Sequence, residues 1–247
     1  MSIQIPLAPT TQIEYPESDG KPMAETEAHR QEMTDLIEAL AEFFRALPTV
    51  YVGGNMLLYY EEGNPRASVA PDVFVVKGVP KHQRRTYQLW REGQPPTVIW
   101  EITSRSTRLE DLGNKRVLYA ILGVQEYYLF DPLEEYLTPS LQGFELINGE
   151  YEHIEPMADG SLLSQALGLS LRRENNRLRL IDAVTGEVLL RPAELAAAHR
   201  AEAVARRAAD ARATAEAEAR RAAEVELARL RAELAVLRGR DVADEME

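Results

Sequence analysis

Thr97-Val98-Ile99-Trp100-Glu101-Ile102-Thr103 is the stretch on which the fold turns. Apolar residues fill both alternating sets of positions up to Glu101, so the strand belongs at the centre of a sheet, covered on both faces. Leu109 to Leu122 follows with a helical pattern. Leu112, Val117, Leu118 and Ile121 are expected on its buried side, and Gly123 closes it. Gln125 to Asp131 is a second strand, stopped by Pro132. Strand, helix and strand in that order make a crossover unit, so these two strands are expected to be parallel.

Upstream, Met33, Leu36, Ile37, Leu40, Ala41, Phe44 and Leu47 recur at three- and four-residue steps. They predict one apolar helix face from about Ala24 to Leu47, ended by Pro48. Val50 to Tyr60 and Ser68 to Lys77 are rich in strand formers and read as an antiparallel hairpin. Gly53-Gly54 marks a bulge in its first strand. Leu141 to Ile154 reads as a hairpin around Asn148-Gly149. Leu178 to Ile181 and Val188 to Leu190 read as a last one around Thr185-Gly186.

These elements define a domain over residues 24–190, preceded by an extended arm over 1–23. Pro192 opens a tail of different character. Ala193 to Arg238 holds no Gly or Pro and is dominated by Ala, Arg, Glu and Leu, which predicts one long helix over 192–238. Leu227, Leu230, Leu234 and Leu237 recur at steps of three, four and three, a short coiled-coil seam for a second copy or another helix. Gly239 is expected to end the helix before an acidic tail, 239–247.

The chain of 247 residues carries a net charge of −12. That balance argues against indiscriminate DNA binding, because phosphate contacts dominate such affinity. There is no cysteine, which excludes disulfides, thiolate metal sites and cysteine nucleophiles and fits a cytoplasmic location. No apolar run is long enough to span a membrane. The first twenty residues show no secretion signal.

Two acids stand where strand residues ought to be apolar: Asp72, after Pro71, and Glu101. A buried carboxylate is costly unless it is paired or holds a cation. Two of them on neighbouring strands point to a hard divalent ion, Mg²⁺ or Mn²⁺, bound by oxygen. Such an ion suits phosphodiester hydrolysis. Lys115, one turn after Asp111 on the helix, is the candidate to neutralise charge developing in the transition state.

Ser68 to Val76, Val98 to Thr107, Asp111-Leu112-Gly113-Asn114-Lys115 with Tyr119, and Gly123 to Pro132 together resemble the Uma family of restriction-endonuclease-like proteins, placed in the PD-(D/E)xK nuclease superfamily. The resemblance implies an α/β fold with a restriction-endonuclease-like mixed central sheet flanked by helices. It also implies a divalent metal and cleavage of DNA. On it, Asp72 is the motif aspartate, Glu101 the second acid and Lys115 the helix lysine. The superfamily lysine would fall at position 103, where this chain has Thr103. That departure leaves a second expectation open, a catalytically silent adaptor that binds partners through its C-terminal helix.

Other residues have more ordinary expectations. Asp111 is expected to cap its helix, Glu126 to lie at a polar edge, and Tyr119 and Tyr127 to pack in the core. His29, near the start of the first helix, is expected to be structural. Lys77 to Arg91 interleaves cations with aromatics, and Lys81, Arg84 and Arg85 are its candidates for nucleic-acid contact.

Overall fold

The structure is a computed structural model and describes residues 13–18, 20, 26–104 and 107–244. Most of the expected arm over 1–23 lies outside the described residues. The chain divides into two units, Met1–Pro192 and Ala193–Glu247.

In the first unit α1 (Glu27–Phe43) leads into β1 (Val50–Gly53) and β2 (Leu58–Tyr59). Next come β3 (Ser68–Val69), β4 (Val73–Lys77), β5 (Tyr87–Gln88), α2 (Leu89–Glu92) and β6 (Val98–Ile102). The helix after β6 is made of α3 (Arg108–Glu110), a π-helical turn (Asp111–Lys115) and α4 (Arg116–Leu122). It is followed by β7 (Glu126–Phe130), β8 (Leu141–Ile147), β9 (Glu150–His153), β10 (Leu162–Ser164), β11 (Leu169–Glu174) and β12 (Arg177–Asp182).

A six-stranded mixed sheet in the order β1-β4-β6-β7-β8-β9 forms the centre. β6 and β7 are parallel, as a helical crossover requires, and every other pair in the sheet is antiparallel. One face packs Val73, Val75, Val98, Trp100 and Ile102 against α1 and the sheet β10-β11-β12. The other packs Phe74, Val76, Ile99, Tyr127 and Leu129 against Tyr119 of α4 and residues of β2, β3 and β5.

The two strand runs after α1 are antiparallel, but neither stays in one sheet. β1 pairs with β4 in the main sheet, while β2 pairs with β3 in a small sheet completed by β5. More than a bulge sits at Gly53-Gly54. A Cβ on Gly54 would lie 2.2 Å from the Asp72 carbonyl oxygen, so only glycine lets the backbones cross so closely. Asn55 then turns with φ 48° and donates its N–H to Pro71 O.

The strand Leu178 to Ile181 finds a different partner from the expected one. It is part of β12, which pairs along its length with β11 around Asn175, whose φ is 55°. Val188 makes only an isolated bridge to Ile181. The alternation of Leu169 and Leu171 before Asn175-Asn176 is the signal for that hairpin.

Glu126 is buried rather than at an edge. Its carboxylate accepts hydrogen bonds from the Ser164 and Tyr128 hydroxyls and from Ala166 N at 2.8 Å, tying β7 to the β10 side. Glu126→Ala is expected to lower unfolding free energy by about 3 kcal/mol, the scale of charge-assisted bonds lost together with an orphaned donor, read from urea unfolding.

The second unit is α5 (Pro192–Asp244), 53 residues long and about 80 Å from end to end. It runs through Gly239, where the sequence predicted a stop. One glycine costs a helix only about 1 kcal/mol relative to alanine, too little to break so strong a run. Among the described residues, no helix is long and apolar enough to cross a membrane.

Candidate active site

Of the face the apolar pattern predicts for the crossover helix, only Leu118 packs, partly buried, against the core. Leu109 and Ile121 are 77% and 78% exposed, and Leu112 and Val117 are exposed too. Asp111, Lys115 and Tyr119 are the buried residues, four apart on one side. The π-helical turn from Asp111 to Lys115 sets that side against the C-terminal end of β6. Irregular turns of this kind recur at functional sites. Tyr127, from β7, holds the turn by donating its hydroxyl to Asp111 O at 3.0 Å.

Glu101 is 1% exposed and both its oxygens are engaged. Lys115 Nζ donates to Oε2 at 2.9 Å and Tyr119 Oη to Oε1 at 2.6 Å. Lys115 Nζ also lies 3.0 Å from Asp111 Oδ1, as an ion pair without hydrogen-bond alignment. Both carboxylate oxygens of Asp111 are buried and lack a hydrogen-bond partner, as does the hydroxyl of Thr103.

Asp72 precedes β4. The antiparallel register pairs Val73 with Trp100, and its continuation sets Asp72 opposite Glu101, on one face of the sheet. Asp72 Oδ2 accepts the Ile102 N–H at 2.7 Å and lies 3.1 Å from His29 Nε2. His29, expected to be structural, is thus brought to the cluster by the first turn of α1, whose N-cap Thr26 accepts the His29 N–H at 3.2 Å. Asp72 keeps partial exposure, whereas Glu101 and Asp111 are buried, so the cluster opens toward solvent at Asp72.

The charges do not balance. Asp72, Glu101 and Asp111 carry three negative charges when ionised, and Lys115 returns one. Burial pushes the Glu101 carboxyl up from its ordinary 4.5 to about 8, Lys115 opposes that, and Asp72 and Asp111 add to it. Burial also raises Asp111 above the usual carboxylate range, against the pull of Lys115. Lys115 experiences the reverse: burial disfavours its ammonium, but Glu101, Asp111 and Asp72 outweigh burial and raise its pKa. Burial and Glu101 keep the Tyr119 hydroxyl protonated, hence a donor. At neutral pH the metal-free cluster therefore holds a charged lysine and an extra proton centred on Glu101.

A family model described as "Putative restriction endonuclease", Uma2, matches residues 3–178. This chain belongs to the Uma2 family. Among curated protein sequences none matches it. A crystal structure described as a "putative nuclease" from Anabaena variabilis is similar at 16% identity, over 56% of this chain and 73% of that one, with a TM-score of 0.42.

The donors of the Uma2 site are all hard oxygens, the kind Mg²⁺ and Mn²⁺ take. Among the described residues no three acid or histidine side chains close into a ready-made metal cage. Mg²⁺ does not need one, because it commonly keeps several waters and is held by one or two carboxylates. The buried carboxylates of Glu101 and Asp111, which outnumber the one ammonium between them, fit a cation at the cluster.

The basic loop lies elsewhere. Lys81 Nζ donates to Phe44 O and Arg45 O, at the C-terminal end of α1. His29 is at the N-terminal end of that helix, about 22 Å away along its axis. Arg84 is buried against the Tyr51 ring, 4.1 Å from its centroid, and pairs with both oxygens of Glu92 at 2.8 and 2.7 Å. Arg85 is exposed and pairs with Glu17. A cleft of about 820 Å³ lined by Tyr51, Lys81, His82, Arg84 and Arg85 opens there. Lys81 and Arg84 are thus engaged in capping and packing, at the end of α1 remote from the acids.

Gly54 has a direct bearing on the site, because its missing side chain makes room for the backbone of Asp72. Gly54→Ala is expected to displace Asp72 and to weaken binding of Mn²⁺ by at least tenfold in a calorimetric titration.

Proposed function

We propose that the Uma2 domain is a divalent-metal-dependent endonuclease that hydrolyses phosphodiester bonds of DNA in the cytoplasm. The observation that carries this reading is the pair of buried carboxylates, Glu101 and Asp111, sharing the one Lys115 ammonium, with Asp72 set opposite Glu101 by the strand register. Asp72 and Glu101 would hold Mg²⁺ or Mn²⁺, with Asp111 beside them. Bound there, the ion would supply a Lewis acid for a phosphoryl oxygen and a more acidic water.

The protein's own groups do the rest. His29 and the Ile102 N–H fix the Asp72 carboxylate. Tyr119 fixes Glu101 from the opposite side. Lys115 places a permanent positive charge beside Glu101, where it can stabilise charge growing on the phosphate in the transition state. It arrives from the helix, while Thr103 occupies the strand position of the superfamily lysine.

Incubation of supercoiled plasmid with the purified chain tests the proposal. Nicked and linear products are expected with Mg²⁺ or Mn²⁺, none with a chelator, and none from Asp72→Asn. The presence of Thr103 and the exposed leucines of α5 favour a second reading, a silent adaptor. It prevails if neither metal supports cleavage and neither binds at millimolar concentration.

A further inference from the structure

The apolar side chains of α5 carry a pattern that specifies both partner and direction. Leu227, Leu230 and Leu234 are each about half exposed on a helix made mostly of alanine, arginine and glutamate. Their spacing sets Leu227 and Leu234 at the first core position of successive heptads and Leu230 at the second. Ala223 occupies the second core position one heptad earlier. Leu237 continues the spacing in the sequence.

The flanking positions, which choose partner and orientation in coiled coils, are strongly biased. Before each leucine heptad stands a glutamate, Glu226 and then Glu233. After the second core position stands an arginine, Arg231 and then Arg238 in the sequence. In a parallel, in-register pair the flanking residue of one strand faces the residue five further on in its partner. Glu226 then meets Arg231 of the second copy, and Glu233 meets Arg238. In an antiparallel pair glutamates would face glutamates and arginines would face arginines. The pattern thus rewards one direction and penalises the other.

Within one chain Glu226 and Glu233 both lean on Arg229, at 3.6 and 3.3 Å. These pairs are well exposed and weak, so association can exchange them. Arg220 takes the core position before Leu227 and is exposed, 3.0 Å from Glu224. A cation at that position ends the apolar seam, so the paired segment begins after it, at Ala223.

We infer that α5 pairs with α5 of a second copy of this chain as a parallel, in-register, two-stranded coiled coil over residues 223–238. Each Uma2 domain joins α5 at its N-terminal end, so this pairing delivers two such domains to the same end of the coil. The covalent tether raises their effective concentration toward one another and toward a shared target. The inference is independent of the chemistry proposed for the domain.

The chain lacks cysteine, which makes the test clean. Full-length Ala223→Cys is oxidised under mild conditions and its mass measured by sedimentation. A dimeric mass with disulfide-linked dimer as the main product is expected. In an antiparallel pair centred on the leucines, the two introduced thiols would stand about 27 Å apart and could not join. Glu226→Arg with Glu233→Arg, in the same Ala223→Cys background, is expected to lose the cross-link at least tenfold. Mixing it with the variant carrying Arg231→Glu and Arg238→Glu is expected to restore the cross-link between the two. A monomeric or trimeric mass, a dimer without the cross-link, or cross-linking indifferent to charge reversal would each overturn the inference.

Discussion

Glu101→Gln is expected to abolish metal-dependent cleavage, by roughly a hundredfold or more, while leaving the Uma2 domain folded. That is the scale on which loss of one charge-stabilising group acts in a water-poor site. The amide preserves the shape of Glu101 and still accepts the Tyr119 hydroxyl, so packing around β6 survives. It removes the acid that a bound ion would deprotonate and take as a ligand. A second signature separates this from mere disturbance of the fold. In the folded protein Glu101 holds its proton to about pH 8, whereas in the unfolded chain it releases it near 4.5. Between those values the folded state binds the extra proton, so Glu101 makes stability fall as pH rises, levelling off above about 8. Glu101→Gln lacks that contribution. Denaturation followed by tryptophan fluorescence at several pH values checks it, because both tryptophans, Trp90 and Trp100, lie in the first unit. A pH slope unchanged in Glu101→Gln would remove Glu101 from its assigned position as the proton-holding acid.

Lys115→Met is expected to cost about 3–5 kcal/mol of stability, the penalty of leaving buried charges without their partner. Glu101 and Asp111 share its ammonium at 2.9 and 3.0 Å, and both are almost fully buried. Without it they remain folded only by taking up protons, so the loss is expected to grow from pH 5 to pH 8. The contribution of Lys115 itself is present in full below its ordinary pKa of 10.5, because its folded pKa is raised. The variant is also expected to be inactive at every pH. Urea midpoints at pH 5 and pH 8 decide the matter: a variant as stable as the parent at both would show that the three groups do not share one buried charge network.

Much of the main sheet was legible. The unbroken apolar run of Val98, Ile99 and Trp100 placed β6 at the centre, and the crossover after it required β7 to be parallel. Asn148-Gly149 announced the β8-β9 turn, where both residues have positive φ. The sheet around β2, β3 and β5 was not legible, because strands of two residues carry almost no periodic signal. The β11 strand was missed for another reason: its Arg172, Arg173 and Glu174 mask the alternation of Leu169 and Leu171.

The crossover helix is the most instructive miss. Its leucines and isoleucine predicted one buried face, yet Asp111, Lys115 and Tyr119 are the ones inside. Apolar pattern ranks positions by hydrophobicity alone and cannot see that a buried lysine is offset by Asp111 on its own turn and by Glu101 from β6. Functional sites are where local pattern and global fold are expected to disagree. The same blindness reduced Asp111 to a cap. Only the fold brings His29 to Asp72, 43 positions away in the chain. The ion pair of Arg84 and the caps made by Lys81 likewise depend on contacts that composition does not reveal.

The carboxylates of this site are expected to favour a divalent cation, and calorimetric titration with Mn²⁺ between pH 6 and pH 9, in buffers of different ionisation heat, measures that preference. Saturable binding is expected, tightening up to about pH 8, with release of close to one proton per ion below that pH. Binding should be lost in both Asp72→Asn and Glu101→Gln. An absence of binding at millimolar Mn²⁺, or binding equally strong in both variants, would contradict it.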